Sequence, residues 1–206
     1  MTCAESRHVL TAGLLAALAM TGCKPGTPEK NPDLRVEADE IRDEEGLILE
    51  RDALPDPVRV DADTEFGATG QLVDADASPD GRWLAVTSIG TAHGAGWLVE
   101  GRGASAAPAA FQYGGAVGIG PWDPDGRFAV FTLEGPGPAS RIVVADNRDP
   151  GPKVSDNART VAVPEGMEDP ESDYRALEWR EGELVFEHAV RRWHFSPKSN
   201  ESRRAP

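Results

Sequence analysis

The sequence predicts an all-β protein built from about three antiparallel, blade-like sheets. From Leu47 onward, short runs of β-forming residues alternate with glycine, proline and aspartate, and no long helical period appears. A hairpin sequence also occurs twice, as SPDGRWLAVT at residues 78–87 and as DPDGRFAVFT at residues 123–132. Short strands joined by such turns are typical of sheets that follow one another along the chain.

The amino terminus has the layout of an export signal. Arg7 precedes an apolar run over residues 9–20, and the small residues Thr21 and Gly22 stand before Cys23. The run has 12 residues, whereas a membrane-spanning helix needs about 20. The sequence therefore predicts that residues 1–22 are a cleaved signal peptide and not a membrane helix.

Met20-Thr21-Gly22-Cys23 resembles the lipobox of bacterial lipoproteins. The resemblance implies that Cys23 becomes the first residue of the mature protein, is acylated, and holds the chain on membrane lipid. Lys24 follows, and by similarity to enterobacterial sorting the absence of aspartate there implies the outer membrane, facing the periplasm. The alternative is an ordinary secretory signal with a chance cysteine.

The chain is acidic, with 35 Asp and Glu against 21 Lys and Arg and a formal net charge of −14. This balance argues against binding to nucleic acid. Residues 33–76 hold 15 acidic residues against 4 arginines. We interpret this stretch as a solvated, self-repelling surface, and a surface that binds cations or a basic partner is the alternative.

The segment after Cys23 has the composition of a tether. Residues 24–33 contain three prolines and four charges, which predicts a disordered, acidic, proline-rich linker over residues 23–46. A short helix at 33–45 is the alternative, because Asn31 is a good N-cap and Pro32 suits the first helical position.

The domain proper is predicted to run over residues 47–195, with a disordered, polar tail at 196–206. Prolines confine residues 149–172 mostly to loop. Candidate strands lie at 47–50, 58–62, 82–88, 96–100, 111–113, 127–133, 141–145, 160–163, 174–179, 183–190 and 193–195.

The repeated hairpin has the chemistry of a tight turn, because proline fixes φ, aspartate bonds the backbone ahead of it, and glycine supplies a positive φ. A looser third copy occurs as ALEWREGELVFE at 176–187. The turn glycines are Gly81, Gly126 and Gly182, which gives spacings of 45 and 56 residues. A strand-rich repeat near 45 residues is typical of propeller blades.

The repeat also resembles that of TolB-type and WD-type propellers, in which this turn links the first two strands of a blade. The resemblance covers roughly residues 70–195. A closed propeller needs at least four blades of about 40 residues, and only 160 residues follow Gly46. We therefore expect an open stack of three sheets or a partly rolled β-meander, without a fourth degenerate hairpin at 44–50. Its edges must be covered by the acidic segment, a loop or another chain.

One cluster of oxygen ligands resembles a calcium loop. Asp74, Asp76, Ser78 and Asp80 precede Gly81, but the bidentate glutamate at the twelfth position of such a loop is missing. Because Asp-Gly recurs in the second hairpin, we favour an ordinary turn, and we predict no metal or other cofactor.

The histidines and tryptophans are interpreted as structural. His188 is expected to be partly buried on its strand and His93 exposed in a glycine-rich stretch, and no ligands are evident for a metal site between His188 and His194. Three tryptophans that stand beside the repeated turns are predicted to be core residues, with a ligand-stacking surface as the alternative: Trp83, Trp122 and Trp179.

No catalytic motif occurs, neither a Gly-x-Ser-x-Gly elbow nor a His-Glu-x-x-His pair, a phosphate loop or a dinucleotide fingerprint. We therefore predict no catalytic residue. The favoured hypothesis is a membrane-anchored, non-catalytic β-module that binds another envelope protein. The alternative is a periplasmic hydrolase or ligand-sensing protein whose site is spread over loops 91–121 and 146–173.

Overall fold

The computed structural model describes residues 33–205. The predicted signal peptide, Cys23 and the first part of the tether lie outside the described residues. The elements are β1 (Arg35–Val36), β2 (Glu40–Asp43), β3 (Gly46–Glu50), a 3-10 turn (Arg51–Ala53), β4 (Val58–Arg59), β5 (Glu65–Phe66), β6 (Gln71–Ala77), β7 (Trp83–Ile89), β8 (His93–Glu100), β9 (Ser105–Tyr113), β10 (Ala116–Ile119), β11 (Phe128–Glu134), β12 (Arg141–Asp146), α1 (Val154–Asn157), β13 (Ala158–Thr160), β14 (Tyr174–Arg180), β15 (Glu183–His188), β16 (Arg191–Ser196) and β17 (Glu201–Arg204).

These strands form antiparallel sheets in which spatial order follows chain order. β1–β3 make the amino-terminal sheet, and β4 and β5 make a small hairpin. Three four-stranded sheets follow, here called blade 1 (β6–β9), blade 2 (β10–β13) and blade 3 (β14–β17). The prediction of an all-β chain with about three antiparallel, blade-like sheets is confirmed.

The core consists of three apolar clusters, each between two consecutive sheets. Ile41 and Leu49 of the amino-terminal sheet pack with Trp97 of blade 1. Leu98 of blade 1 packs with blade 2 around Phe131. The third cluster joins blade 2 to blade 3 through Phe128, Val130, Ile142, Val144, Leu184, Phe186, Trp193 and Phe195. Burial of each large side chain contributes about 1.5–3 kcal/mol, so neighbouring sheets stabilise one another.

The stack is open within residues 33–205. No strand of blade 3 pairs with the amino-terminal sheet, and none of the three clusters contains residues from both. The expectation of an open architecture is thus confirmed. Within the same residues, no helix has the length and hydropathy needed to cross a bilayer.

Charged side chains cover the outer face of blade 3, opposite the cluster shared with blade 2. Arg175 pairs with Glu187 across β14 and β15. Glu183 accepts from both His194 and Arg203. A polar outer face on the last repeat is what ends a stack in solvent. The outer face of blade 3 therefore suits contact with solvent.

A loop covers the outer edge of blade 1, as the sequence analysis allowed. Asn157 of α1 donates to the Pro108 carbonyl of β9 at 2.8 Å. Phe66 of the small hairpin stacks on Phe111 with ring centroids 4.4 Å apart. These contacts cover part of the β9 edge.

The prediction of a helix or disordered tether between residues 33 and 46 is wrong. Residues 35–36 and 40–43 form β1 and β2. Ile41 is fully buried against blade 1, and this tertiary contact outweighs the helix-start signals at residues 31–32. Residues 44–50 were not expected to belong to a hairpin, but they form the turn and second strand of the β2–β3 hairpin. Asp43 Oδ1 caps this turn by accepting from the amides of Glu45 and Gly46.

The predicted disorder of the tail is also wrong for residues 201–204. They form β17, which pairs with β16 through Trp193 opposite Arg204 and Phe195 opposite Ser202. The sequence has no β signal there because three of the four residues are charged. Charged residues are nevertheless common in an edge strand, which pairs with only one neighbour.

The strand β8 contains two glycines, Gly94 and Gly96, because blade 2 lies close to its backbone. A Cβ at Gly96 would lie 2.8 Å from the ring of Phe131, and one at Gly94 would lie 2.9 Å from the amide nitrogen of Val117. Blade 2 therefore approaches the backbone of β8 more closely than a side chain would allow.

Candidate functional site

The first repeated turn uses its polar side chains internally. Ser78 donates to Asp80 Oδ1 at 2.6 Å, and the amide of Arg82 donates to the same oxygen at 3.1 Å. The amide of Trp83 donates to Ser78 Oγ at 3.0 Å. Gly81 has φ of +67°, as the turn requires. The Asp80 side chain therefore stabilises the turn.

The suggested calcium ligands do not form a metal site in the described chain. Asp74 and Asp76 lie on β6, a strand that the sequence analysis missed. Asp74 Oδ1 accepts from the amide of Ala75 at 2.9 Å. Within residues 33–205, no three His, Cys, Asp or Glu side chains are grouped to hold a metal ion.

The second repeated turn places Asp123 where the first has Ser78. Asp123 Oδ1 accepts from the amide of Phe128 at 2.6 Å, just as Ser78 Oγ accepts from Trp83. Asp123 is buried. Burial raises the pKa of its carboxyl, and hydrogen bonds from the backbone of Phe128 and Arg127 oppose that rise only in part. The second turn thus carries a buried acid where the first uses a hydroxyl.

We expect Asp123→Ser to retain the turn and Asp123→Ala to lower the free energy of unfolding by about 1–3 kcal/mol, because alanine leaves two amides without an acceptor. The raised folded-state pKa means that the contribution of Asp123 to stability is greatest below its unfolded-state pKa. That contribution is lost as pH rises through the folded-state pKa. Urea unfolding of both variants across the acidic range would measure this. The free energy of unfolding of Asp123→Ser should rise relative to that of the wild type as the pH approaches neutral. A difference that stays constant with pH would contradict the raised pKa of Asp123.

Arg127 and Asp146 form a bidentate ion pair at this end of the stack. Two hydrogen bonds join them, at 2.9 and 2.6 Å. Burial raises the pKa of Asp146, but the hydrogen bonds from the Arg127 side chain and the Arg148 amide, together with the charges of both arginines, outweigh burial and leave the pKa below its usual range. The pair links β11 to β12 and so belongs to the framework of blade 2.

Tryptophans beside the turns tie each blade to the preceding one. The Trp122 indole donates to the Asp76 carbonyl at 3.3 Å, and the Trp179 indole donates to the Pro121 carbonyl at 3.0 Å. Both carbonyls lie five residues before a turn glycine. Trp122 is buried, and Trp83 and Trp179 are partly buried against the clusters. Core packing is therefore confirmed for all three, and they do not form an exposed stacking surface.

The histidines fall into different environments from those expected. His93 is buried, not exposed, and stacks on Phe111; burial lowers its pKa. His188 is buried more completely than predicted, and its Nε2 accepts from the amide of Asp169 at 3.0 Å. His194 pairs with Glu183 on the outer face of blade 3. The three imidazoles serve three separate contacts.

The end of the stack opposite the repeated turns holds a cleft of about 790 Å³. We call it the loop-end cleft. It lies between the segments 135–140 and 161–173. Its lining includes Phe111, Gln112, Leu133, Pro136, Pro138, Ser140, Arg141, Val161, Glu168, Asp169, Pro170, Ser172 and Tyr174.

Hydrogen bonds hold the two walls of the loop-end cleft together. The Asp173 carboxylate accepts from the amide of Ser140 at 2.7 Å and from its hydroxyl at 3.0 Å. Tyr174 stacks on His188 with centroids 4.1 Å apart, and His188 in turn holds the Asp169 amide. The cleft is thus shaped before any ligand arrives, which reduces the entropic cost of binding.

A second cleft of about 750 Å³ lies among the repeated turns. Its lining includes Asp80, Asp123 and Arg127, whose side chains already serve the turns and the blade 2 ion pair. The loop-end cleft has more apolar side chains in its lining, among them Phe111, Leu133 and Val161, and it is the better candidate binding site.

The loops proposed from sequence overlap this site only in part. Most of residues 91–121 form β8, β9 and β10, so that segment is not a loop. Of residues 146–173, only the part from Thr160 onward lines the loop-end cleft. The opposite wall at 135–140 was missed, although its Gly-Pro-Gly-Pro sequence is a clear loop signal.

The serine hydroxyls that line the loop-end cleft are engaged by neighbouring carboxylates. Ser140 donates to Asp173, and Ser172 donates to Asp169 at 2.8 Å. Apolar side chains, the carboxylates of Glu168 and Asp169, and the polar side chains of Gln112, Arg141 and Thr160 also line the cleft.

No protein-family model matches the sequence, and no curated protein matches it significantly. Among solved structures, the chain is similar to TolB from Acinetobacter baumannii, with a TM-score of 0.42 and 15% sequence identity. The similarity covers 83% of this chain and 39% of the TolB chain. The chain thus spans well under half the length of that TolB protein.

Proposed function

We propose that the protein is a lipid-anchored, non-catalytic binding module of the bacterial cell envelope, which binds a protein partner in the loop-end cleft. The observation that carries the binding role is the cleft itself, whose lining mixes apolar and polar side chains and whose two walls are joined by the Asp173–Ser140 hydrogen bonds. Small, well-formed clefts with apolar lining and a few polar groups are the usual binding sites of proteins.

The anchor in this proposal is Cys23, on the strength of the lipobox sequence. Acyl chains each contribute about 0.8 kcal/mol per buried CH₂, and more than one chain is needed for stable anchoring. Lys24 favours the outer membrane, with the module facing the periplasm. The acidic composition supports a protein partner and not nucleic acid.

The anchor is tested by producing the chain with its own signal in a bacterium that processes lipoproteins. We expect the wild type to incorporate labelled palmitate and to sediment with membranes. Cys23→Ser should lose the label and leave the membrane fraction, because serine offers no thiol to acylate. Cys3→Ser is the matched control, since Cys3 lies in the signal, and it should behave as the wild type. Membrane retention and labelling of Cys23→Ser would contradict the proposal.

A further inference from the structure

We infer that the loop-end cleft binds a basic, extended segment of the partner, whose cationic side chains meet the carboxylates of residues 161–173 while its apolar side chains contact apolar lining residues such as Phe111 and Leu133. This inference rests on the proposed function and adds the chemistry of the partner.

The first support is the uneven distribution of charge. Residues 161–173 contain five acidic residues and no Lys or Arg. The rest of the chain from residue 77 to 206 is nearly balanced, with 14 Lys and Arg against 13 Asp and Glu. Within residues 77–206 the acidic excess is therefore concentrated in this segment, and two of its acids, Glu168 and Asp169, line the cleft.

The second support is that these carboxylates are available. Glu165, Glu168 and Glu171 are exposed, and no ion pair within residues 33–205 engages them. Glu168 lines the cleft itself. Arg141 is the one cation among the lining residues and faces two carboxylates there, so the cleft keeps an excess of negative charge.

The third support is an aromatic surface that continues from the cleft. Phe111 lines the cleft, and Phe66 and His93 stack on it. Tyr113, two residues further along β9, is 60% exposed and lies 5.8 Å from Phe66. Exposed aromatic faces bind apolar groups and attract Lys and Arg side chains. The wall at 161–173 carries carboxylates, and aromatic rings continue from Phe111. A segment that alternates cationic and apolar residues would be complementary to both.

The test uses the full-length lipoprotein in detergent and three fluorescent peptides of equal length. Each peptide alternates leucine with a second residue, which is lysine or arginine in the first, serine in the second and glutamate in the third. We expect the basic peptide to bind most tightly. The triple variant Glu165→Gln/Glu168→Gln/Glu171→Gln should weaken that binding about tenfold, since three exposed ion pairs are lost.

A matched control changes the same charge elsewhere. Glu37→Gln/Glu44→Gln/Glu50→Gln removes three exposed carboxylates from the amino-terminal sheet and should leave the affinity within about twofold of the wild type. An equal loss in both triple variants would show nonspecific attraction and overturn the inference. Dimerisation of the protein through the cleft, with the basic peptide competing against the dimer, would assign the cleft to a second copy of the chain. That result would also overturn the inference.

The outcomes separate the inference from the proposed function. If the serine peptide binds as well as the basic one and Phe111→Ala weakens both, the cleft is a binding site without charge preference. The inference then fails and the proposed function stands. If no peptide binds and a photocrosslinker at exposed Met167 captures nothing in cells, both fail.

Discussion

Replacing Trp122 by alanine is expected to lower the free energy of unfolding by about 3–5 kcal/mol, the largest effect of any single side-chain truncation considered for this fold. Trp122 is buried in the cluster between blades 1 and 2 and donates its indole N–H to the Asp76 carbonyl. The substitution removes the apolar contact and the hydrogen bond together. Urea unfolding followed by circular dichroism measures the loss.

Trp122→Phe separates the two contributions. It keeps most of the apolar surface and removes the N–H donor, so we expect a loss near 1 kcal/mol from the hydrogen bond, plus a smaller packing term. Equal losses for the two variants would show that the indole N–H, and not burial, dominates the contact. A loss below 1 kcal/mol in Trp122→Ala would contradict the structural role of this tryptophan.

Gly115→Ala is expected to prevent stable folding or to lower the free energy of unfolding by about 3 kcal/mol or more. The added methyl group would collide with a backbone carbonyl, which cannot move aside as a flexible side chain can. A Cβ at Gly115 would lie 1.8 Å from the carbonyl oxygen of Glu134. Gly115 joins β9 of blade 1 to β10 of blade 2. The variant should therefore disturb the junction between two blades.

Gly118→Ala is the matched control for that prediction. Gly118 lies three residues away in β10, and the nearest atom to its added Cβ would be 4.0 Å distant. We expect a change of at most about 0.5 kcal/mol, or a slight gain from reduced unfolded-state entropy. Soluble yield and thermal unfolding of the two variants give the comparison. Equal stability of both would exclude the close approach of the Glu134 carbonyl to Gly115.

The sheet edge at β9 and the outer face of blade 3 change the interpretation of this architecture. From the sequence, a chain too short to close a ring has sheet edges that the acidic segment, a loop or another chain must cover. In the structure, α1 and the small hairpin cover β9, and the outer face of blade 3 carries paired charges. The partner is therefore proposed for a cleft at one end of the blades and not for an incomplete sheet.

Sequence reasoning succeeded where the signal is local. The Pro-Asp-Gly turns and the apolar strands after them located β7 and β11, because the turn chemistry and the alternation of side chains lie within ten residues. It failed for β6, whose acidic sequence QLVDADA is that of a loop. Pairing with β7 and burial of Leu72 hold β6 in the sheet, and neither is visible in the strand itself.

The candidate site was located less well than the fold. Its acidic wall at 161–173 was predicted as loop, but nothing in the sequence places it opposite residues 135–140. The Asp173–Ser140 hydrogen bonds and the His188–Asp169 contact join groups that are 33 and 19 residues apart. Such contacts depend on how blades 2 and 3 stack.

Neighbouring residues and composition were enough to predict the all-β class, the repeated turn, the acidic balance and a lipid anchor at Cys23. The packing of Ile41 against blade 1, which draws residues 33–50 into a fourth, smaller sheet, became visible only in the folded chain. The tertiary structure also decided that the polar turn residues are already engaged and that two distant loops form the cleft. The physical reason is that burial and hydrogen bonding between separate sheets outweigh local propensity, and their partners lie far apart in the chain.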